Sequence, residues 1–367
     1  MKIIAERVIE RAIEVQQTPA PTFDERKRGD LVRGMFAEEG LQDVSMDEVG
    51  NVFALRSKFQ GQKSKVKPLI VSAHLDTVFP HETKLDVKRE GDKIFGPGIG
   101  DNSLGVAALF GLLWMLREKN FEPAGDIWFV ANVGEEGLGD LRGMKAVVDR
   151  FGADVQAYLI LEGLALGHVY HRAVGVKRYR VTTRTIGGHS WSDYGKPSAI
   201  HEMSRLVVGL SSLELPNYPR TTMNVGKISG GTSVNVIASE ASIDLDLRSE
   251  GQETLAELVA RVEKLIQSAS RPGVNVTAEV IGQRPAGELS PDHPFVKLAE
   301  ECLREQGIYP TLTSGSTDAN VPLSKGYPAI VLGISTGGSA HTFHEYINTE
   351  PVAAGMEQLI RFISRVW

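Results

Sequence analysis

Leu69-Ile70-Val71-Ser72-Ala73-His74-Leu75-Asp76 is a short apolar run that ends on an imidazole and, two residues on, a carboxylate. A run of this length, rich in branched side chains and without polar alternation, is the pattern of a strand buried on both faces of a sheet. Residues 127–133 (Ile-Trp-Phe-Val-Ala-Asn-Val) and 157–161 (Ala-Tyr-Leu-Ile-Leu) repeat it. Residues 105–116 are apolar nearly all round and too long for a strand, which predicts a buried helix packed on that sheet. The fold class is therefore α/β. In open sheets of this class the chemistry sits just beyond the strand ends, where loops present side chains that the strands hold rigid.

Candidate ligands fall at those ends. His74 closes the first run, Glu136 follows the second and Glu162 ends the third. Asp101 lies in Gly98-Ile99-Gly100-Asp101-Asn102, and His341 in His341-Thr342-Phe343-His344-Glu345. Two imidazoles and three carboxylates suit a pair of Zn²⁺-like ions, because three anionic ligands plus one hydroxide cancel the four charges of the metals. Glu135 is left over, and a carboxylate beside a ligand but free of the ions is what an activated water needs as its general base. The composition is that of a two-metal hydrolase. On residue type alone His344 competes with His341, and any single strand-end carboxylate could be a loop cap.

Length and charge set outer bounds. At 367 residues the chain exceeds the size at which one core keeps growing, so two domains are expected. A net charge of −6 with interleaved signs gives no footprint for nucleic acid or an anionic membrane. Cys302 is the single cysteine, which excludes an intrachain disulfide and fits a reducing compartment. Residues 1–15 place Ile4, Val8, Ile9, Ala12 and Ile13 on one helical face, without the continuous apolar core of a signal peptide. No uninterrupted apolar run approaches the roughly 18 to 20 residues of a membrane span. The expectation is a cytoplasmic protein.

The middle of the chain changes character. Residues 174–186 alternate Arg178, Arg180 and Arg184 with Tyr179, Val181 and Thr183, and residues 241–248 alternate apolar with Ser242, Asp244, Asp246 and Arg248. These are half-exposed antiparallel strands. Helical patterns at 198–213 and 253–268 and strands at 222–228 and 274–281 complete a β-α-β-β-α-β order, which reads as a ferredoxin-like α+β unit. A helix at 295–306, a buried strand at 329–334 and a closing helix at 352–366 follow. His341 lies in this last section, so the catalytic domain is expected in two pieces, 1–173 and 284–367, with residues 174–283 inserted as a lid.

The chain resembles the dinuclear-zinc exopeptidases and amidases that include peptidase T, aminoacylase, glutamate carboxypeptidase, acetylornithine deacetylase and succinyl-diaminopimelate desuccinylase. The likeness rests on Ser72-Ala73-His74-Leu75-Asp76-Thr77-Val78, residues 98–102, Glu135-Glu136, Gly187-Gly188-His189-Ser190, Asn235-Val236-Ile237, Asp246-Leu247-Arg248 and residues 341–346. These in this order, with an insertion between them, are specific and span almost the whole chain. The resemblance implies a zinc-exopeptidase (phosphorylase/hydrolase-like) catalytic domain with an inserted lid and dimerisation domain. It implies that Asp101 bridges two metals, that His74 and Glu162 complete one site, and that Glu136 and His341 complete the other. A histidine four residues before Glu-Tyr selects His341 over His344. It further implies a cis peptide after Asp101, Asp76 orienting His74, Glu135 as base to a metal-bridging hydroxide, and His189 as donor to the oxyanion, from the partner subunit in dimeric relatives. Arg248, Asn235 and Ser316 correspond to contacts with a substrate carboxylate.

The bland readings are a turn-capping His189, an Arg248 ion-paired with neighbouring Asp residues, surface or hinge positions for His168 and His171, surface positions for His81, His201 and His293, and a core Cys302. Relatives with Glu at the position of Glu162 include deacylases, while Val133-Gly134-Glu135-Glu136-Gly137-Leu138-Gly139 is closer to peptidase T. The expectation is hydrolysis of an amide in a small peptide, in the manner of an exopeptidase, with an N-acyl amino acid deacylase or a carboxypeptidase as the alternative. Two divalent ions are expected, Zn²⁺ first, with Co²⁺ or Mn²⁺ compatible. A phosphoesterase would need cationic clamps near the ligands, and only Arg142 and Arg172 stand there.

Overall fold

The opening stretch forms the strand Leu69–His74, buried along its whole length. It stands inside a large sheet in this computed structural model, which describes residues 1–57 and 65–367. Its parallel neighbours are Ile127–Asn132 and Ala157–Glu162, and Ala329–Gly333 runs parallel beyond the latter. Val52–Arg56 and Gln42–Met46 extend one side antiparallel. His168–Ala173 adds antiparallel on the other, with Thr311–Gly315 parallel to it. The register sets His74 opposite Asn132, and Glu162 opposite Gly333. The carboxyl ends of four parallel strands thus share one edge, which is where an α/β sheet presents chemistry.

The helix Leu104–Glu118 is buried from Leu104 to Leu116. Phe110 stacks on Phe36 of the helix Arg26–Glu38 at 4.8 Å between ring centroids. By length and mean hydropathy Ile99–Glu118 could cross a membrane, yet 94% of its apolar window is buried inside the protein. It is a core helix. The helices Lys2–Gln16 and Val352–Ile363 close on it, with Val8 and Met356 meeting over Gly111.

Two compact units divide the chain: Met1–Ala173 with Glu288–Trp367, and Val174–Gly287. The second has its own four-stranded antiparallel sheet, ordered Thr221–Gly230, Glu240–Ser249, Gly175–Thr185, Val274–Arg284. Tyr179, Val181, Ile243, Leu245 and Leu247 point to one face, which the helices Ala199–Ser211 and Gln252–Ala269 cover. Arg178, Arg180 and Arg184 alternate to the other face and pair across strands with Asp246, Asp244 and Glu240 at 2.8–2.9 Å. The alternation read in the sequence therefore separates a core from a charged ladder.

Of the surface or hinge positions expected for His171, the structure gives a buried one beside the junction of the two units in sequence. Alternate residues of His168–Ala173 face inward, so His168 is exposed while His171 is buried, with Nδ1 2.8 Å from the Leu289 carbonyl. His293 is half-buried as well and caps the helix Pro294–Arg304 by accepting the Phe295 amide. Cys302 is fully buried, and burial pushes its thiol up to about 11.

Strand ends and loops are packed backbone to backbone. A Cβ on Gly333 would stand 1.8 Å from the Ala165 carbonyl carbon and 1.9 Å from the Leu166 nitrogen. Gly34, on the helix Arg26–Glu38, has open space around the same position. Gly333→Ala is expected to destabilise the protein by about 3 kcal/mol or more, since backbone cannot step aside. Gly34→Ala should stabilise it by about 0.5–1 kcal/mol through helix propensity. Urea unfolding of both variants measures the contrast.

Candidate metal centre

Asp101 is presented by a break at the start of the core helix. The segment Ile99–Ser103 leads into Leu104–Glu118, but Asp101 itself has φ −116° and ψ 86°, outside helical geometry. Gly98 enters the turn at φ 72°, a region glycine takes at little cost, and the Asp101–Asn102 peptide is cis. Two buried side chains lock this loop. Asn102 Nδ2 donates to the Leu161 carbonyl at 2.8 Å, and its Oδ1 accepts the Gly105 and Gly163 amides at 3.1 and 3.0 Å. Glu345 Oε1 accepts the amides of Gly100 and Asp101 at 2.8 and 2.9 Å, and Oε2 that of Gly98 at 3.1 Å.

Around Asp101 two triads form. His74 Nε2 lies 3.1 Å from Asp101 Oδ1 and 3.8 Å from Glu162 Oε2. His341 Nε2 lies 2.9 Å from Asp101 Oδ2 and 3.2 Å from Glu136 Oε1. The potential ligand atoms within His74, Asp101 and Glu162 all lie within 4.8 Å of one another, as do those within Asp101, Glu136 and His341. A third such group, His74 with Glu135 and Glu136, places Glu135 against the same centre.

Asp76 sits behind it, fully buried. Its backbone carbonyl is 3.0 Å from His74 Nδ1, closer than its carboxylate oxygen at 3.6 Å. A carbonyl only accepts, so Nδ1 carries a proton, and Nε2, facing Asp101 and Glu162, is the nitrogen that a metal would take once the ring gives up its second proton. The Asp76 carboxylate, beside the same nitrogen, also holds the neighbouring loop. Oδ1 accepts the Glu135 amide and Oδ2 the Glu136 amide, both at 2.9 Å.

Three carboxylates this close repel one another, and their proton affinities shift accordingly. Burial, together with the neighbouring carboxylates, holds Glu162 well above the usual carboxylate range, and burial raises Glu136 too. The contacts with Asp101 and Glu136 lift His341 to about 10. For His74, burial alone would lower the value, but Asp101 and Asp76 outweigh it and the imidazole is raised well above its ordinary range. Burial pushes Glu345 up to about 7 even though it accepts three amides. Glu136 Oε1 is buried with His341 Nε2 beside it at 3.2 Å. Oxygen and nitrogen donors gathered this way around two points, with surplus negative charge, fit a pair of divalent cations.

The other residues singled out in the sequence lie outside these triads. His189 belongs to the Val174–Gly287 unit and is exposed. Its Nδ1 accepts the Trp191 and Ser192 amides at 3.2 and 3.4 Å, which puts its proton on Nε2. Asn235 is exposed, and its Oδ1 accepts the Ser233 hydroxyl at 2.8 Å. Arg248 Nε donates to Asp246 at 2.6 Å, the ion pair that the strand pattern allowed. Ser316 is half-buried in the other unit, two residues before Asp318, a buried carboxylate that accepts Asn132 Nδ2 at 2.7 Å. His344 is exposed and off the triads.

Sequence reading passed over the structural roles of Asn102, Glu345 and Asp318. Their signal was slight: Asn102 and Glu345 are polar residues inside quoted motifs, Asp318 stands two residues after Ser316, and burial alone distinguishes each from a surface group.

Comparison with known proteins places this architecture. The Bacillus subtilis (strain 168) protein YqjE is 25% identical over 372 residues, spanning 97% of each chain. The solved structure of aminopeptidase PepT from Bacillus cereus superposes with a TM-score of 0.80 at 24% identity, covering 99% of this chain and 98% of that one. A Staphylococcus aureus tripeptidase gives 0.82 at 24% identity with the same coverage. These two likenesses establish the fold, an α/β unit with an inserted α+β unit. The description of peptidase family M20/M25/M40 fits residues 70–365, most of the chain, and the chain therefore belongs to that family, as its motifs predicted.

Proposed function

We propose that this protein is a two-metal exopeptidase that hydrolyses an amide bond in a small peptide. The observation that carries the reading is the pair of triads sharing Asp101, with Glu135 beside them. His74 and Glu162 would hold one ion with Asp101, and Glu136 and His341 the other. When bound, such ions supply Lewis acidity and a water acidified from about 16 to about 7. Zn²⁺ matches the mixed nitrogen and oxygen donors, and Co²⁺ or Mn²⁺ would be accepted by the same set.

Glu135 takes the proton of the attacking water and returns it to the leaving amine. Its place is set by its amide, anchored on Asp76. His189, protonated on Nε2, is the assigned donor to the oxyanion. Ser316, Asn235 and Arg248 are assigned to the substrate carboxylate, with Arg248 exchanging part of its bond to Asp246. A phosphoesterase is disfavoured because both candidate clamps are engaged: Arg142 with Glu25 at 2.6 Å and Arg172 with Glu288 at 2.7 Å. The assignment extends to a cytoplasmic homodimer formed through the inserted unit, whose Thr221–Gly230 strand lies at a sheet edge.

Three outcomes are expected. Metal-loaded protein incubated with free tripeptides, dipeptides and N-acetyl amino acids should release the first residue of tripeptides, by mass spectrometry, and a chelator should abolish it. Release of acetate instead would move the protein to the deacylases. Glu135→Gln should lower kcat by about 10² to 10⁴ while metal content stays at the wild-type value. Finally, His341 held near 10 is protonated at pH 7, and an ion requires its bare nitrogen, so metal uptake must expel protons and weaken as pH falls. Titration calorimetry in buffers of different ionisation enthalpy should report release of about one proton or more per protein.

A further inference from the structure

Arg28 is an arginine in the wrong place for one. It lies in the run Arg26-Lys27-Arg28, which reads as a solvated helix start, yet its side chain is 1% exposed. Its hydrogen bonds go to backbone carbonyls: Nε to Thr18 at 2.8 Å, Nη1 to Leu75 at 2.7 Å and Nη2 to Gln16 at 3.3 Å. Burying a guanidinium without a hydrogen-bonded carboxylate is costly, and an apolar side chain of similar shape would ordinarily serve packing better. Something other than packing must account for it.

The Leu75 carbonyl stands between His74 and Asp76. Arg28 therefore fixes the peptide units on which two things depend: the Asp76 carbonyl that sets the His74 ring, and the Asp76 carboxylate that holds the Glu135 and Glu136 amides. The charge that partly offsets the buried guanidinium is that same Asp76. The segment leading to Arg28 reaches the same turn from its other side. Pro21 forms a parallel bridge with Thr77, and the Thr77 amide donates to Ala20 at 2.9 Å. Thr22 Oγ1 donates to Asp76 Oδ2 at 2.9 Å. Glu25, also buried, grips Arg142 just beyond the Glu135–Glu136 loop. Residues 18–28 thus form a strap running behind both ligand-bearing loops.

We propose that Arg28 and Thr22 are positioning residues of the metal centre, holding the turn at 74–76 so that His74 and Glu136 present their donor atoms to the ions. Neither touches a ligand atom; both act through Leu75 and Asp76. Partners one step removed from a metal typically control affinity or activity by about 10- to 100-fold. The inference rests on the two-metal reading above.

The test uses full-length protein stripped of metal and titrated with Zn²⁺ against a chromogenic chelator, with the visible absorption of the Co²⁺-loaded form as a second readout. Arg28→Lys keeps the charge but loses the three-way fork, and Thr22→Val keeps the shape but loses the donor. Both are expected to melt cooperatively, to bind the metal about 10- to 100-fold more weakly, and to show altered Co²⁺ bands. Their kcat should fall with little change in KM. Should Arg28→Lys fail to fold, Thr22→Val alone decides. Variants that fold and keep wild-type Zn²⁺ affinity and Co²⁺ spectrum would overturn the positioning role while leaving the metal centre intact. Wild-type protein that bound neither ion would instead overturn the two-metal reading, and this inference with it.

Discussion

One oxygen of the Asp101 carboxylate faces His74 Nε2 at 3.1 Å and the other faces His341 Nε2 at 2.9 Å, so a single side chain joins a strand end to a loop that lies 240 residues beyond Asp101 itself. That junction sets strict demands on the backbone around it. Asp101 must leave helical geometry just before a helix that is buried on every side, and three amides left over by the turn must find an acceptor in the core. Glu345 supplies it. The small sheet of Tyr346–Asn348 with Lys93–Phe95 then ties Glu345 to residues flanking the Asp101 loop, and the Gly96 amide donates to the Glu345 carbonyl at 3.0 Å. The same few residues therefore anchor His341 and Asp101 together.

The concentration of charge in this region opposes folding in the absence of a cation. Asp101, Glu136 and Glu162 share a space from which water is largely excluded, and raised values at Glu136 and Glu162 express the cost of ionising neighbours at short range. A protein selected for stability alone would fill such a place with apolar side chains. Here the three central strands are apolar, Ser72 apart, up to their last residue and become polar in one step, at His74, Asn132 and Glu162. The rigid part of the fold ends where the chemistry starts, which keeps the donor atoms of separate strands in fixed relation.

Much of this was legible in the sequence, for reasons that differ from element to element. The buried strands announce themselves because apolar runs of five or six residues ending in glycine or a polar group have few alternatives. The inserted unit is legible through the alternation of Arg178, Arg180 and Arg184 with Tyr179 and Val181, since one face packs on helices and the other on solvent. The short strands Lys88–Glu90 and Gly337–Gly338 were not, because two or three residues carry no period. Nor was the depth of Arg28 or His171, where a polar residue is buried by what surrounds it rather than by its own pattern. The ligand candidates were visible as motifs, but that Asp76 meets His74 with its carbonyl and binds the Glu135–Glu136 loop amides with its carboxylate follows only from the fold.

The division into units separates two properties that are often treated as one. All residues of the two triads, and the strap that supports them, lie in Met1–Ala173 with Glu288–Trp367 and depend on that unit's core. His189, Asn235 and Arg248 lie in Val174–Gly287, which has its own core of Tyr179, Val181, Leu245 and Leu258. Damage to one core is not transmitted to the donor atoms of the other by any shared packing within these clusters. On the proposed assignment metal affinity would be a property of the first unit, whereas recognition of substrate and stabilisation of charge would draw on both. A lesion in the inserted unit that spoiled metal binding as deeply as turnover would mean that the two are coupled by something other than their cores.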